Sequence, residues 1–392
     1  MAPLTVAWIS HFPVEWLSDA PEQVRLLRPH HPASWQRVLL AELEKVPSLR
    51  LHILVLRNEL ERDFTFERHG VTFHLIKTPR GLRAPSLFWV DTILIRRVLN
   101  KIKPDVIHAW GTERGAALVA NRLGLPRVVT IQGLVSWYSQ IVPPHPHDRL
   151  AGVLERYSLP RTPLITTESN FSVQWLRKHF PNSRVEQIEH APDPIFHRVQ
   201  RQPQIKPFRF IFVGALDERK GGKFLVQALD RLRSEIPFEL IVVGKPDPEI
   251  TAVLRRRVSP ETWGRIIFKG NLTPLEVAQE LSTAAMMIFP TLADVSPNAV
   301  KEAVVAGVPV VGSAVGGIPD YVIPGRNGIL FPAGELKELI EAIRAACRHP
   351  LFSRGMVEPG VLAQMRDYLS PALMGRRFLE MYQAARRQGN ED

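Results

Sequence analysis

Short apolar segments alternate with amphipathic segments along the whole chain. The apolar segments are rich in Val, Ile, Leu and Phe, which is typical of strands buried on both faces of a parallel sheet. Between them, apolar residues recur at helical spacing, as at 33–46, where Val38, Leu39 and Leu43 share one face. Strands that alternate with helices predict an α/β architecture, in which ligands bind at the carboxyl ends of the strands.

The first half of the chain is predicted to form one parallel sheet with its covering helices. The predicted strands are 5–10, 51–56, 71–76, 104–108, 128–133, 164–168 and 185–189, and the predicted helices are 33–46, 87–100, 115–123 and 171–179. The proline-broken segment 135–148 is expected to be a long loop. His145 and His147 in this segment have no third ligand nearby, so a solvated loop is favoured over a metal site.

A second series of the same kind follows a proline-rich, basic linker, which we place at 196–207. Its predicted strands are 208–214, 238–244, 265–270, 286–290 and 308–311, and its predicted helices are 223–235, 250–257, 275–282, 336–347 and a basic amphipathic helix within 371–392. The fold class is therefore predicted to be α/β, with two doubly wound, Rossmann-like domains, at 1–195 and 208–370, that face a central crevice.

Length, charge and cysteine content narrow the possible classes of function. A chain of 392 residues exceeds the size at which one core keeps growing, and its net charge of +11 favours anionic partners such as nucleotides, phospholipid surfaces or nucleic acid. Cys347 is the only cysteine, which excludes an internal disulfide and a cysteine zinc site. The first residues lack the pattern of a signal peptide, and the uncharged runs 128–147 and 303–319 are broken by glycine and proline. Any membrane contact is therefore expected to be peripheral.

The segment 294–317 is the strongest candidate for a binding site. It is predicted to form a loop, a helix, a buried strand and a glycine loop, in that order. Ser296 suits the N-cap, Pro297 suits the first helical position, and Gly307 suits the end of the helix. The first turn is expected to present free backbone N–H groups at the positive end of the helix dipole, which makes it an anion site. These N–H groups belong to Asn298, Ala299 and Val300.

Two carboxylates bracket this helix tip. Asp294 lies in the loop before the helix, and Glu302 lies four residues after Asn298, on the same face. Phosphates at a helix tip with a carboxylate nearby suit a nucleotide sugar, because the acid can bind a ribose or sugar diol. On local grounds alone, an ordinary βα unit with a capped helix is an equally good interpretation.

A glycine-rich turn, 214–222, follows the first strand of the second half. Its glycines allow the backbone to approach an anion, and Lys220 can supply a positive charge to a diphosphate. The turn matches neither a Walker loop nor a GxGxxG fingerprint, so a solvated βα turn remains an alternative. The predicted sheet nevertheless brings it together with 294–302 and the pair Gly316 and Gly317 at the carboxyl ends of the strands.

The second half resembles the donor domain of the retaining GT-B glycosyltransferases of family 4. Asp294 and Glu302 stand at the spacing of that family's Glu-x7-Glu motif, and 296–317 resembles the run that follows it. The turn at 214–222 is similar to the family's phosphate loop, through Gly214, Leu216, Lys220 and Gly221. The likeness is strong after residue 208 and looser before it, where 104–108 is similar to a first-domain signature.

The resemblance implies a role for individual residues. Lys220 would bind the donor diphosphate, Glu302 the ribose hydroxyls, and Asp294 the transferred sugar. The implied catalytic residues are Asp294, Glu302, Lys220 and His108. The implied donor-binding residues are Gly214, Arg219, Lys220, Gly244, Gly270, Ser296, Pro297, Asn298, Ala299, Val300 and Glu302. The implied acceptor-side residues are His11, Trp110 and Gln132.

Some of these residues have structural alternatives or depart from the family pattern. His108 suits a packed polar core position as well as it suits an acceptor contact, and His11 is more often structural. Asp294 replaces the family's glutamate, and Ala215 replaces an arginine whose charge Arg219 could supply. Gln132 stands where many members have a histidine.

The function implied by the resemblance is retaining transfer of a sugar from a nucleotide-diphosphate donor, of UDP or GDP type, to a saccharide or lipid-linked acceptor in glycan or polysaccharide biosynthesis. Neither a metal nor a separate cofactor is expected. The implied location is the cytoplasm, with a peripheral position at the inner face of the membrane as one option. The C-terminal helix would pack back on the first domain or contact anionic lipid.

Other functions stay open on the sequence alone. A catalytically weak GT-B protein could act as a binding or scaffold module, and a nucleotide-sugar epimerase or sugar-phosphate synthase could use the same fold. Specific nucleic-acid binding is not expected, because the basic residues are spread along the chain and are not interleaved with stacking aromatics.

Overall fold

Two parallel sheets, one from each half of the sequence, organise the chain. The computed structural model describes residues 3–29 and 33–389. The strands of the first sheet are β1 (Leu4–Ile9), β2 (Leu49–Arg57), β3 (Phe64–Arg68), β4 (Val71–Lys77), β5 (Val106–Trp110), β6 (Arg127–Thr130), β7 (Leu164–Thr167) and β8 (Arg184–Gln187). They lie in the order β3-β4-β2-β1-β5-β6-β7-β8, and only β3 pairs antiparallel to its neighbour.

Helices cover both faces of the first sheet. They are α1 (Glu22–Arg25), α2 (Ser34–Leu43), α3 (Trp89–Ile102), α4 (Ala116–Leu123), α5 (Val135–Ile141), α6 (Pro146–Ser158) and α7 (Asn170–His179). The next helix, α8 (Pro194–His197), packs instead against the second half of the chain, where Phe196 is part of the core. The inner strands β1, β5, β6 and β7 are almost wholly buried, as the continuous apolar runs predict, whereas the edge strands β3 and β8 are largely half-buried or exposed. Two separate apolar clusters form, one on each face of the sheet.

The second sheet has the strand order of a dinucleotide-binding fold. Its strands are β9 (Phe208–Val213), β10 (Phe238–Val243), β11 (Ile266–Gly270), β12 (Met286–Phe289), β13 (Val310–Ser313) and β14 (Gly328–Phe331), in the order β11-β10-β9-β12-β13-β14. Its helices are α9 (Gly222–Leu232), α10 (Pro248–Arg257), α11 (Pro260–Gly264), α12 (Pro274–Thr283), α13 (Asn298–Ala306), α14 (Ile318–Tyr321), α15 (Leu336–Arg348) and α16 (Pro359–Tyr368). The order reverses between β9 and β12, and ligands bind at such a switch point.

The last helix, α17 (Pro371–Gln388), returns to the first sheet. Its apolar residues recur at helical spacing, so one face buries Met374, Phe378 and Tyr382 in the core of the first domain. The indole N–H of Trp8 donates a hydrogen bond to the Tyr382 hydroxyl at 2.9 Å. The apolar side of this helix is therefore occupied by the protein itself.

The prediction of a loop at 135–148 is wrong, because α5 and the start of α6 lie there. Pro143 and Pro144 fall between the two helices, and Pro146 occupies the first turn of α6, where no N–H is needed. The Asp148 carboxylate accepts a hydrogen bond from the His145 backbone N–H at 3.2 Å, which completes the cap. The edge strand β3 was not predicted either.

No helix in the described part of the chain is both long enough and apolar enough to span a membrane.

Candidate active site

The loops that follow β9 and β12 face each other across the switch point of the second sheet. The loop after β9 contains the glycine-rich turn, and the loop after β12 leads into α13. Three predicted donor-side glycines lie at the ends of neighbouring strands: the Gly214 N–H donates to the Val243 carbonyl, and the Gly244 N–H donates to the Gly270 carbonyl, both at 2.8 Å. A Cβ on Gly244 would lie 2.4 Å from the Gly214 carbonyl oxygen, so these strand ends require glycine.

The tip of α13 presents two free amides, where the sequence predicted three. The N-cap position is held by Pro297, and the hydroxyl of Ser296 lies 2.7 Å from that of Tyr321, so the prediction of Ser296 as N-cap is wrong. The Val300 N–H donates to the Pro297 carbonyl at 3.1 Å and is not free. The N–H groups of Asn298 and Ala299 donate to no described residue. Together with the helix dipole, these two amides form an anion site.

Lys220 and Asp294 form an ion pair across the switch point. The Lys220 ammonium also lies 4.9 Å from the ring centre of Phe289. Arg219 lies on the other side of the carboxylate, with its Nη1 3.7 Å from Asp294 Oδ2, and it donates to the Ala293 carbonyl at 2.8 Å. Asp294 is buried, and these two cations compensate its charge. The pair joins the glycine-rich turn to the loop that leads into α13.

Glu302 lies half-buried on α13, and its environment disfavours the charged carboxylate. Burial raises the pKa of Glu302 to about 7; the neighbouring Lys301 opposes this shift and Asp193 adds to it. A carboxyl group with this pKa changes charge near neutral pH. The same group can therefore accept hydrogen bonds from a diol when ionised and stay neutral at lower pH.

This pKa makes stability depend on pH in a definite direction. Because the folded pKa of Glu302 lies above the ordinary value of 4.5, its contribution to stability is full below pH 4.5 and is lost as the pH rises through about 7. Glu302→Gln keeps the neutral form, so the wild type should lose about 1–3 kcal/mol of unfolding free energy relative to this variant between pH 5 and pH 8. Urea unfolding of both proteins at the two pH values measures the difference. If the difference in unfolding free energy between the two proteins is the same at pH 5 and pH 8, the pKa of Glu302 is not raised.

A buried cluster joins α13 to the first domain. Lys301 is wholly buried, and its ammonium donates to Glu168 Oε2 at 2.6 Å. His190 Nδ1 lies 3.1 Å from the other Glu168 oxygen, and the Tyr321 hydroxyl donates to the Glu168 carbonyl at 3.0 Å. Burial alone would raise the pKa of Glu168, but His190 and Lys301 together lower it to about 2. No local sequence pattern predicted that these residues would meet.

The loop that carries Asp294 also packs against the first domain. Ala293 and Val295 are buried among residues of the first domain, including Trp137. The Val295 N–H donates to the Tyr138 hydroxyl at 3.1 Å, and the Arg219 guanidinium lies 5.2 Å from the Tyr138 ring centre. Helix α5 therefore positions the loop that carries the first predicted carboxylate. These contacts were missed because α5 was predicted to be a loop.

Two glycines allow the loop after β13 to approach this same segment. A Cβ on Gly316, whose φ is +57°, would lie 1.7 Å from the Asp294 carbonyl oxygen. A Cβ on Gly317 would lie 2.2 Å from the Val295 carbonyl oxygen and 2.7 Å from Ser169 of the first domain. The diglycine therefore lets three segments meet at the domain interface.

His108 is not part of the site, and its predicted catalytic role is wrong. The side chain is wholly buried, with Nδ1 2.7 Å from the Tyr382 hydroxyl and Nε2 2.6 Å from the Thr130 hydroxyl. Burial holds its pKa well below the ordinary value, so the ring stays neutral. With both nitrogens engaged inside the core, the side chain cannot reach a substrate. The alternative interpretation, a packed polar core residue, is the right one.

The three predicted acceptor-side residues line one cavity of about 370 Å³ in the first domain. The residues that line it are His11, Ala33, Trp35, Gln36, Trp110, Glu113, Arg114, Gln132 and His147. Burial raises the pKa of Glu113, while Arg114 and His147 oppose that shift. Glu113 lies five residues after the end of the predicted strand 104–108, a signal that could have placed it in the site. The cavity combines indole rings with groups that can donate and accept hydrogen bonds.

No group of three or more His, Cys, Asp or Glu side chains within residues 3–29 and 33–389 is arranged to hold a metal ion. Metal independence stays a prediction.

Two family descriptions match consecutive parts of the chain. Residues 36–195 match the family described as Glycosyltransferase Family 4. Residues 207–349 match the family described as Glycosyl transferases group 1. The first range contains every strand of the first sheet except β1, and the second contains every strand of the second sheet.

Curated relatives extend across most of the chain at low identity. A GDP-mannose-dependent alpha-mannosyltransferase of Corynebacterium glutamicum is 26% identical over 314 residues, which are 72% of this chain and 69% of the relative. A D-inositol 3-phosphate glycosyltransferase of Nocardioides sp. is 23% identical over 318 residues, which are 73% of this chain and 69% of the relative.

Solved structures match the arrangement of both sheets. Sucrose-phosphate synthase from Thermosynechococcus elongatus matches with a TM-score of 0.75 at 17% identity, over 97% of this chain and 98% of that chain. HepE from Anabaena, in complex with UDP-glucose, matches with a TM-score of 0.69 at 16% identity, over 97% of this chain and 100% of that chain. At these identities the likeness shows the fold.

Proposed function

The chain belongs to glycosyltransferase family 4, the glycosyl transferases group 1. We propose that it transfers a sugar from a nucleotide-diphosphate donor to a saccharide or lipid-linked acceptor, with retention of configuration. The motifs at 214–222 and 294–317 predicted a glycosyltransferase with the GT-B fold, and this prediction is confirmed. The observation that carries the proposal is the Lys220–Asp294 ion pair, which joins the glycine-rich turn after β9 to the loop that leads from β12 into α13, the helix with the two free amides and Glu302.

The proposed donor is a UDP- or GDP-sugar. The tip of α13 and Lys220 offer positive charge to a diphosphate, and the ionised Glu302 can accept hydrogen bonds from ribose hydroxyls. One relative is named for dependence on GDP-mannose, and one structural neighbour was solved with UDP-glucose. Diphosphate binding would draw Lys220 away from Asp294 and leave that carboxylate available to the transferred sugar.

The proposed reaction takes place on one face of the donor sugar. The bond between the anomeric carbon and the diphosphate oxygen breaks, and the bond from that carbon to the acceptor oxygen forms on the same face. The proton of the acceptor hydroxyl moves to the leaving phosphate oxygen, so no strong protein base is required. Lys220 and the amides of Asn298 and Ala299 stabilise the negative charge that develops on the leaving group. Neither a metal nor a cofactor takes part in this proposal.

The proposed acceptor site is the cavity of the first domain. Trp110 supplies an apolar surface for a sugar ring, and Glu113, Arg114 and Gln132 supply polar groups for its hydroxyls. We place this reaction in the cytoplasm, in glycan synthesis, with peripheral contact to an anionic membrane. Closure of the two domains around both substrates would limit hydrolysis of the donor.

A donor panel tests the proposal. Radiolabelled UDP-, GDP- and ADP-sugars are incubated with the protein, with and without a membrane extract that supplies acceptors. One donor should give a labelled saccharide or lipid product that depends on the extract, and Asp294→Ala should reduce its formation about tenfold or more. Free sugar or an isomerised donor, formed equally without the extract, would contradict transfer and favour hydrolysis or epimerisation.

A further inference from the structure

Exposed apolar side chains are concentrated on one part of the first domain. Of the fourteen large apolar side chains that are exposed in the described residues, eight lie between positions 82 and 157. They are Leu82, Leu87, Trp89, Ile93, Ile141, Leu150, Val153 and Tyr157. Single exposed apolar residues are ordinary, but such a concentration indicates an interaction site.

Two helices present most of these residues, each on its outer side. On α3, Trp89 and Ile93 lie one turn apart and are 51% and 65% exposed, while Ile95 and Leu99 face the core. On α6, the outer side carries Leu150, Val153 and Tyr157 at helical spacing, and the inner side buries Ala151, Leu154 and Ser158. Both apolar stripes therefore point away from the sheet.

Helix α4 joins the two stripes into one surface. The Arg122 guanidinium lies 4.3 Å from the ring centre of Trp89, and it is close enough to Tyr157 for the two groups to interact electrostatically. The Arg96 side chain donates to the Arg122 carbonyl at 2.9 Å, and the Asn121 amide donates to the Ser158 carbonyl at 2.8 Å. We call this surface, the outer side of α3 and α6 with Arg122 between them, the α3–α6 face.

The α3–α6 face is strongly basic. Residues 80–161 contain twelve Lys and Arg against five Asp and Glu, so this segment contributes +7 of the net charge of +11. Exposed arginines share the outer sides of the helices with the apolar residues: Arg96 and Arg97 on α3, and Arg149 and Arg156 on α6. Arg161 adds a guanidinium 3.9 Å from the ring centre of Tyr157.

None of the five acidic residues in this segment is fully exposed, and the most accessible side chain recorded among them is that of Asp148, at 44%. Asp91 is buried and binds Arg83, and Glu155 is buried and accepts hydrogen bonds from the N–H groups of Val135 and Ser136. The other three, Asp105, Glu113 and Asp148, are half-buried. The positive charge of this segment therefore exceeds the negative charge that its own acids supply.

We propose that the α3–α6 face docks on an anionic phospholipid bilayer. Apolar tips interleaved with arginines fit a bilayer interface, where the apolar atoms enter the acyl boundary while the guanidinium groups stay among lipid phosphates. Trp89 and Tyr157 are aromatic residues of the kind that favour this boundary. Arg122 and Arg161 cover a face of each ring, which disfavours base stacking and hence single-stranded nucleic acid as the partner.

The position of the α3–α6 face gives the docking a consequence for the active site. His147, in the first turn of α6, lines the acceptor cavity, and the outer stripe of the same helix begins two residues later at Arg149. Docking through α6 would therefore hold the domain that contains the cavity at the membrane surface, where a lipid-linked acceptor would lie. This inference rests on the membrane contact that we proposed as part of the function and assigns that contact to the α3–α6 face. Helix α17 does not contribute its apolar side, because that side is buried in the first domain.

Vesicle sedimentation without any sugar donor tests the docking, so its failure would leave the proposed transfer reaction untouched. The full chain is mixed with vesicles of phosphatidylcholine alone or of phosphatidylcholine with phosphatidylglycerol, at low and at high salt. The wild type should bind the anionic vesicles, and binding should weaken with salt. Ile93→Ser/Val153→Ser and Arg149→Gln/Arg156→Gln should each weaken binding about tenfold or more.

A matched control is available on the second domain. Helix α10 also carries an exposed apolar residue, Val253, and exposed arginines, so Val253→Ser/Arg256→Gln changes the same residue types elsewhere. This control should bind vesicles like the wild type, and circular dichroism checks that every variant is folded. The proposal would be overturned if the wild type bound neutral and anionic vesicles equally, or if the control variant lost as much vesicle binding as the test variants. It would also be overturned if the protein bound heparin as well as it binds vesicles and Ile93→Ser/Val153→Ser changed neither.

Discussion

Lys220→Ala is expected to lower kcat/KM for sugar transfer about 10²–10³-fold, because it removes the side-chain cation that stabilises the departing diphosphate. The affinity for the nucleoside diphosphate should fall as well, whereas the affinity for the nucleoside alone should not change. The fold should persist, since Arg219 stays 3.7 Å from the buried Asp294 carboxylate and keeps its charge compensated.

Lys223→Ala is the matched control for this variant. Lys223 lies in the first turn of α9, on the same turn-and-helix unit, and its side chain is exposed. Its loss should change kcat/KM less than about twofold, because an exposed charge contributes little. Steady-state kinetics and nucleotide titrations compare the two variants. If Lys220→Ala behaves like Lys223→Ala, the glycine-rich turn does not bind the leaving group.

Lys301→Met is expected to cost about 3–5 kcal/mol of unfolding free energy, because it leaves the buried Glu168 carboxylate without its ammonium partner. The pKa of Glu168 is lowered, so the stability from this group is present above pH 4.5 and is lost as the pH falls towards 2. The loss in Lys301→Met should accordingly be largest near neutral pH. Urea unfolding measures it.

A second substitution separates the ion pair from packing. Lys301→Met/Glu168→Gln removes both charges and should recover a large part of the lost stability, because no uncompensated charge is then buried. Lys337→Met, on the exposed side of α15, serves as the control and should change stability by less than about 0.5 kcal/mol. A Lys301→Met variant as stable as this control would show that the buried pair does not hold α13 against the first domain.

Repeating local patterns made most of the fold predictable. The buried strands and the amphipathic helices follow from apolar spacing that each segment carries by itself, and Gly307 ends α13 in the left-handed conformation as predicted. The prediction of a loop at 135–148 was wrong because it rested on the number of prolines in the segment and not on where each proline stands. Pro146 stands in the first turn of α6, where proline starts a helix and does not break it.

Tertiary contacts decided the rest of the site. Ser296 has the right residue type for an N-cap, but the Tyr321 hydroxyl, 25 positions away, lies within hydrogen-bond distance of its side chain. Lys301, beside Glu302 on α13, pairs with Glu168, 133 positions earlier. His108 ends the predicted strand 104–108, where ligands often bind, but it lies within β5, and α17 returns from the last part of the sequence to cover it. No local pattern encodes these partners.

Calorimetric titration of the wild-type protein with UDP, GDP and ADP tests the central proposal most directly, because it needs neither the sugar nor the acceptor. At least one of these nucleotides should bind at a single site, and the matching nucleoside without phosphates should bind far more weakly, since the tip of α13 and Lys220 bind the diphosphate. Failure of all three nucleotides to bind would contradict a nucleotide-sugar donor site at this switch point.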